Sequence, residues 1–241
     1  MALERLPGMV RLTQVVRRFR DSRLRSRKVY EFGAAGLGDQ CRLVNYLLMH
    51  DMRHVALRAR RPALAAQMLS LFGADESHDI RARGKDSERG EIINLRNHKL
   101  GKYLPMPQGW IADPHSRRIL TQLQGAQSRS SSKNTSEADV SRLLQYLTSL
   151  GYEAGEVTND WARPLKMTVD RMIASRLFIG IESGWAHVAH SCGIPCIIIR
   201  NDQIPKILNN YHVGNEYTVY ENVDELIANF DATLSTYRPN F

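Results

Sequence analysis

Residues 176–200 read RLFIGIESGWAHVAHSCGIPCIIIR, and these 25 residues hold a strand, a sharp turn, a short helix and a second strand. Leu177, Phe178 and Ile179 form an apolar run of the kind buried on both faces of a sheet, and Glu182, Ser183 and Gly184 follow almost at once. A carboxylate, a hydroxyl and a glycine make poor core. At the carboxyl end of a buried strand they make a good place to hold a ligand. A strand–helix–strand unit of this length also implies parallel pairing, with the helix laid over the sheet.

The same alternation runs outward in both directions. Toward the N-terminus, a strand at 29–32 leads into a glycine turn at 33–38 and a helix at 39–50. HVALRAR reads as a second strand, and PALAAQMLSLFG as a helix opened by Pro62 and closed by Gly73. HDIRARGK and GEIINLRN read as two short strands. GKYLPMPQGWIADPH, with three prolines and two glycines, cannot be a regular element and reads as an interdomain connection. Beyond it, RRILTQLQG is a strand ending at Gly125, and AQSRSSSKNTS a polar loop. SEADVSRLLQYLTSLG is a helix with Ser136 as its cap, Asp139 three residues on, and Val140, Leu143, Leu144 and Leu147 as its apolar stripe. PLKMTVDRMIASR is a further helix with Met167, Met172 and Ile173 assigned to the core. CIIIR and EYTVY are strands, and NVDELIANFDATL is the last helix. The fold class expected is α/β, with two facing Rossmann-like domains and ligands at the carboxyl ends of their strands. The domains expected are a basic arm at 1–27, an N-terminal domain at 28–115 and a C-terminal domain at 116–241.

Composition narrows the classes. Of 241 residues, 43% are hydrophobic and 24% charged, as in an ordinary soluble globule. No apolar run approaches the roughly 20 residues of a membrane span. Three cysteines and no secretory pattern point to a reducing cytoplasm, and Cys192 and Cys196 sit in apolar sequence as small hydrophobes. Charge is unevenly spread: residues 1–28 carry nine Lys/Arg against two acids, leaving +1 of the net +8 for the other 213 residues. In LTQVVRRFRDSRLRSR, Leu12, Val15, Val16 and Phe19 recur at helical spacing among arginines. Such an arm can dock on its own domain, lie on an anionic membrane or cover a phosphate backbone.

Four polar clusters fall at predicted strand ends. In GAAGLGDQ the residue of interest is Asp39, either a helix-start carboxylate or a general base facing the cleft. The loop after Gly125 carries Gln127, Ser128, Arg129, Ser130 and Lys133, which together can wrap a phosphate or merely link two elements. Glu182-Ser183-Gly184 opens a helix whose N–H groups suit an anion, while Glu182 suits a hydroxylated sugar or ribose. His187 lies one turn along, either a half-buried histidine or a diphosphate donor. Arg200, Asn201 and Asp202 form a weaker fourth cluster.

GAAGLGDQCRLVNYLLMH and ASRLFIGIESGWAHVAHSCGIPCIIIR resemble the two hallmark segments of the ADP-heptose:lipopolysaccharide heptosyltransferase family. That resemblance implies a GT-B glycosyltransferase, with Gly38 and Asp39 opening the first helix and Glu182, Ser183, Gly184 and His187 after the later strand. The family's loop lysine falls at Lys133, with Arg129 as competitor. Glu182 stands where the family usually has aspartate, and the first domain is shortened. The turn GLGDQ is also similar to the G-G-L-G-N-Q of fucosyltransferases that use GDP-fucose. The implied chemistry is metal-independent, inverting transfer from a nucleotide-diphosphate sugar. Asp39 would be the base. Gly38, Gln127, Arg129, Ser130, Lys133, Glu182, Ser183, Gly184, Trp185 and His187 would form the donor site, Trp185 through its backbone amide. No cofactor or metal is expected. The partners expected are the donor and an anionic acceptor met by the basic arm: a glycan or lipid at the inner face of the membrane, or nucleic-acid bases. A nucleotide-sugar-binding protein without catalysis is the remaining alternative.

Overall fold

The computed structural model describes residues 29–32, 36–52, 56–74, 79–82, 91–92, 115–125, 134–157, 163–199 and 217–237. The basic arm, the proline-rich connection at 101–114, the loop residues Gln127, Arg129, Ser130 and Lys133, and the cluster Arg200–Asp202 lie outside them.

Two parallel sheets carry the chain. The first contains β1 (Val29–Phe32), β2 (Ala56–Ala59), β3 (Asp79–Ala82) and β4 (Glu91–Ile92), in the order β3-β2-β1-β4. The second contains β5 (Arg118–Gln122), β6 (Glu153–Glu156), β7 (Leu177–Ile181), β8 (Cys196–Ile199) and β9 (Tyr217–Tyr220), in the order β6-β5-β7-β8-β9. All seven strand pairings among the described residues are parallel, as the helix-strand alternation predicts. The α/β class holds.

Among the described residues six helices connect and cover the sheets: α1 (Leu37–Met49), α2 (Pro62–Leu71), α3 (Glu137–Ser149), α4 (Leu165–Ile173), α5 (Gly184–Cys192) and α6 (Val223–Thr236). The successive crossovers β1-α1-β2-α2-β3 step one way along the sheet, and right-handed connections then place both helices on one face. In the second sheet the chain steps from β5 out to β6 and back to β7, which sends α3 and α4 to opposite faces. There α3 packs with α6, burying Leu143, Leu147 and Phe230 against Ile119, Ile179 and Ile197.

The remaining helices meet in the middle. α1 packs on α5, and α2 on α4. One continuous apolar cluster therefore runs from Phe32, Leu57 and Leu43 of the first half to Leu120, Phe178 and Ile198 of the second. The two sheets are joined through a shared core, not merely through the connecting chain.

Local signals explain most boundaries. Ser136 caps α3 by accepting from the Asp139 N–H at 3.1 Å, and Asn222 does the same for α6 from Glu225 at 2.9 Å. Gly73, Gly151 and Gly193 follow helix ends with φ of +67°, +79° and +80°, values that L side chains resist. Three details depart from the sequence reading. α1 begins at Leu37, so Gly38 lies inside it instead of in the turn. β6, with sequence EAGE, is a strand that poor β-formers conceal. Met167 is 54% exposed, whereas Met172 is fully buried, so the periodicity assigned one methionine too many to the core.

Candidate functional site

β1 and β7 each deliver a helix N-terminus at their carboxyl ends, and the two N-termini touch. A Cβ added to Gly184 would lie 2.7 Å from the Gly38 backbone nitrogen and 2.7 Å from Leu37 Cβ. A Cβ on Gly38 would lie 2.5 Å from His187 Cδ2 and 3.2 Å from Gly184 Cα. At Gly184 a methyl group would run into the Gly38 backbone, and at Gly38 it would meet the His187 ring first and the Gly184 backbone second. The positive ends of two helix dipoles therefore converge on one point, the arrangement that favours an anion.

Around that point stand five of the residues singled out from sequence. Asp39 is the third residue of α1, and its Oδ2 would be 2.9 Å from a Cβ on Gly36, so the carboxylate folds back over the start of its own helix. Ser183 is the N-cap of α5, accepting from the Ala186 N–H at 3.3 Å. Its own hydroxyl donates to Gln122 Oε1 at the end of β5. Glu182 and Ser183 are half-buried, as is His187, whose ring lies against Gly38. Trp185 differs: its indole is buried in the shared core, leaving only its backbone near the turn.

Below the glycines the α1–α5 seam stays polar. The Cys41 thiol approaches Ser191 Oγ at 3.4 Å and the His187 carbonyl at 3.7 Å, and Asn45 Nδ2 donates to the Cys41 carbonyl at 2.9 Å. Burial pushes the Cys41 thiol up to about 12, with the Ser191 hydrogen bond pulling slightly the other way. The Cys192 and Cys196 thiols are raised as well, by burial first and by a neighbouring cysteine second. These groups are neutral packing elements across the ordinary pH range.

A separate cavity of about 400 Å³ is lined by Arg61, Pro62, Ala63, Leu64, Gln67, Arg163 and Leu165. It sits between the N-termini of α2 and α4, and Gln67 Oε1 bridges the halves by accepting from the Leu165 N–H at 2.7 Å. α1, α2, α4 and α5 all follow strands, so their N-termini and this cavity share the carboxyl edge of the sheets. Nearby, Gly125 N–H donates to Asn134 Oδ1 at 2.7 Å and Thr135 N–H to the Leu123 carbonyl at 3.0 Å. Both ends of the segment carrying Gln127, Arg129, Ser130 and Lys133 are thus tied to the end of β5. Among the described residues no group of three or more His, Cys, Asp or Glu side chains converges.

Sequence reasoning missed Gln122, Arg61, Arg163 and the Cys41–Ser191 seam. Gln122 carried a weak signal, a polar residue closing the apolar strand RILTQ. The others are visible only once the two halves are docked.

Two parallel sheets with helix N-termini gathered at their carboxyl edges define a Rossmann-like α/β fold. Solved glycosyltransferases share the fold. A family 9 glycosyltransferase from Veillonella parvula superposes with a TM-score of 0.61 at 11% identity, over 87% of this chain and 97% of that one. The Escherichia coli heptosyltransferase WaaC, solved with ADP-2-deoxy-2-fluoro heptose, gives 0.53 at 10% identity, over 88% and 100%. TibC from enterotoxigenic E. coli gives 0.54 at 13% identity over 80% of this chain, which spans 62% of the TibC chain. The heptosyltransferase-like fold expected from the two hallmark segments is borne out. No protein-family model and no curated protein matches the sequence.

Proposed function

We propose that the protein is a metal-independent, inverting glycosyltransferase that moves a sugar from a nucleotide-diphosphate donor to an acceptor hydroxyl. The observation that carries this reading is the contact of Gly38 with Gly184, which brings the start of α1, bearing the Asp39 carboxylate, against the N-terminus of α5. Residues 28–115 form the acceptor domain and 116–241 the donor domain of a GT-B pair. Asp39 takes the proton from the acceptor hydroxyl as its oxygen attacks the anomeric carbon. The bond from that carbon to the diphosphate oxygen breaks on the opposite face, inverting the configuration. Backbone N–H groups at the start of α5, with Arg129 and Lys133, hold the charge that builds on the departing diphosphate. Glu182 accepts from hydroxyls of the sugar or ribose. His187 adds a donor beside the diphosphate. The cavity lined by Arg61 and Arg163 has the charge to receive an anionic acceptor, which the basic arm gathers at the cytoplasmic membrane face. TibC was solved with ADP-D-β-D-heptose and WaaC with a fluorinated ADP-heptose, which makes ADP-sugars the first donors to try.

One observation favours a second reading, nucleotide-sugar binding without turnover. Asp39 lies over Gly36 at the position of a helix-capping acid, a role that needs no substrate. Asp39→Asn separates the two. With ADP-, UDP-, GDP- and CDP-sugars, anionic glycolipid vesicles and EDTA, we expect wild-type protein to release a nucleoside diphosphate. The variant should lose about 10²- to 10⁴-fold in rate while keeping its donor affinity. Equal rates would make Asp39 a capping residue. Donor binding without turnover in either protein would establish the binding reading, and loss of wild-type turnover in EDTA would overturn metal independence.

A further inference from the structure

Gln122 is the last residue of β5 and is 3% exposed, a primary amide at the end of a strand whose Ile119 and Leu120 are fully buried. Burying an amide is costly unless it is hydrogen-bonded, so the position asks for a reason. Its Oε1 accepts from the Ser183 hydroxyl, 61 residues away along the chain. The Ser183 oxygen then accepts from the Ala186 N–H. The three groups form one directed chain, Ala186 N–H to Ser183 Oγ–H to Gln122 Oε1. Among the described residues, Gln122 Nε2 has no acceptor.

A serine hydroxyl has one proton. Here that proton is committed to Gln122, so Ser183 cannot also donate it to a phosphate. We propose that Gln122 is the positioning residue of the donor site, an assignment that rests on the glycosyltransferase reading above. By accepting the Ser183 hydrogen bond it turns the hydroxyl lone pairs toward α5, keeps the cap on Ala186 and leaves the Gly184 N–H to meet a diphosphate. Its own Nε2 supplies a further donor at the same turn.

The role is tested by isothermal titration of ADP, UDP, GDP and CDP into wild-type protein, Gln122→Leu, Ser183→Ala and the double variant, with the melting midpoint of each recorded. One nucleoside diphosphate should bind wild-type protein. Each single variant should bind it about five- to tenfold more weakly, the loss of one buried hydrogen bond. The double variant should be no worse than the weaker single, because both changes cut the same chain. Gln122→Glu serves as the second probe: it keeps an acceptor for Ser183 but sets a carboxylate beside an anion, and should weaken binding more than Gln122→Leu. A lower midpoint with unchanged affinity would make Gln122 merely structural and overturn the assignment. Additive losses would overturn the coupling through Ser183. If wild-type protein binds none of the four, the donor-site reading itself fails and takes this assignment with it. If it binds one and every variant binds equally well, only the role of Gln122 fails.

Discussion

At the start of α5 a side chain, Ser183, takes the Ala186 N–H, whereas α1 begins from Gly36, which has no side chain to offer. α5 is closed by a hydroxyl held in place by Gln122. α1 is left uncapped, and its acid, Asp39, sits over the gap. Two N-termini that meet at the same pair of glycines are therefore finished differently. One presents backbone donors beside a fixed hydroxyl, and the other presents a carboxylate. Glycosyl transfer asks for this division of labour: donors where a diphosphate leaves, and a base where a hydroxyl attacks. The shared core beneath them makes the pairing a property of the fold instead of a chance approach of two domains.

The largest effect lies in the seam that holds the two helices together. Its thiols stay protonated in the folded state, with Cys41 pushed up to about 12, and ionise near pH 9 once unfolded. The unfolded chain thus binds fewer protons between those values. Stability contributed by the thiols is fully present below pH 9 and is lost as pH rises, by about 1.4 kcal/mol per pH unit for each buried thiol. Urea unfolding across pH 8–11 should show the decline, and Cys41→Ala should make it shallower. An unchanged slope would mean that Cys41 is not buried in the seam.

The glycines come next, and they should not respond equally. At Gly184 a new methyl meets backbone, so Gly184→Ala should cost about 2 kcal/mol, as overpacking does. At Gly38 it meets first the His187 ring, which can swing aside, so Gly38→Ala should cost less than about 1 kcal/mol while weakening nucleotide binding. Chemical denaturation compares the two, and a costlier Gly38→Ala would contradict the contact pattern.

The smallest effects test the two helix starts directly. Ser183→Ala should lose about 1 kcal/mol, the usual worth of an N-cap. Gly36→Ser would give α1 the cap that α5 has, yet should gain only a few tenths of a kcal/mol. The new side chain would meet Asp39 Oδ2, which lies 2.9 Å from its Cβ position, and would displace the carboxylate. Turnover should therefore fall with little change in melting midpoint. Equal turnover would break the link between the uncapped start and catalysis.

Sequence alone carried the alternation of strands and helices, because the apolar runs at β7 and β8 and the cap Ser136 are local signals. It also placed Glu182, Ser183 and Gly184 at a strand end, since polar residues there interrupt an otherwise buried pattern. β6 stayed hidden because Glu153, Ala154, Gly155 and Glu156 form a strand with little β preference, paired among the described residues only with β5. The Gly38–Gly184 contact, the Cys41–Ser191 pair and the Gln122–Ser183 bond join residues 61 to 150 positions apart. No periodicity within a window can report such contacts. Met167 was misassigned because helical spacing fixes which residues share a face but leaves the phase at the margins open.

The central claim is that the meeting point of α1 and α5 holds a nucleotide-diphosphate sugar. Its most direct test is a thermal-shift series of wild-type protein and Gly184→Ala with ADP-, UDP-, GDP- and CDP-sugars in EDTA. One donor should stabilise the wild-type protein by about 2.7 kcal/mol at a hundred times its Kd, and the variant markedly less. No shift with any donor, or an equal shift in the variant, would contradict the account.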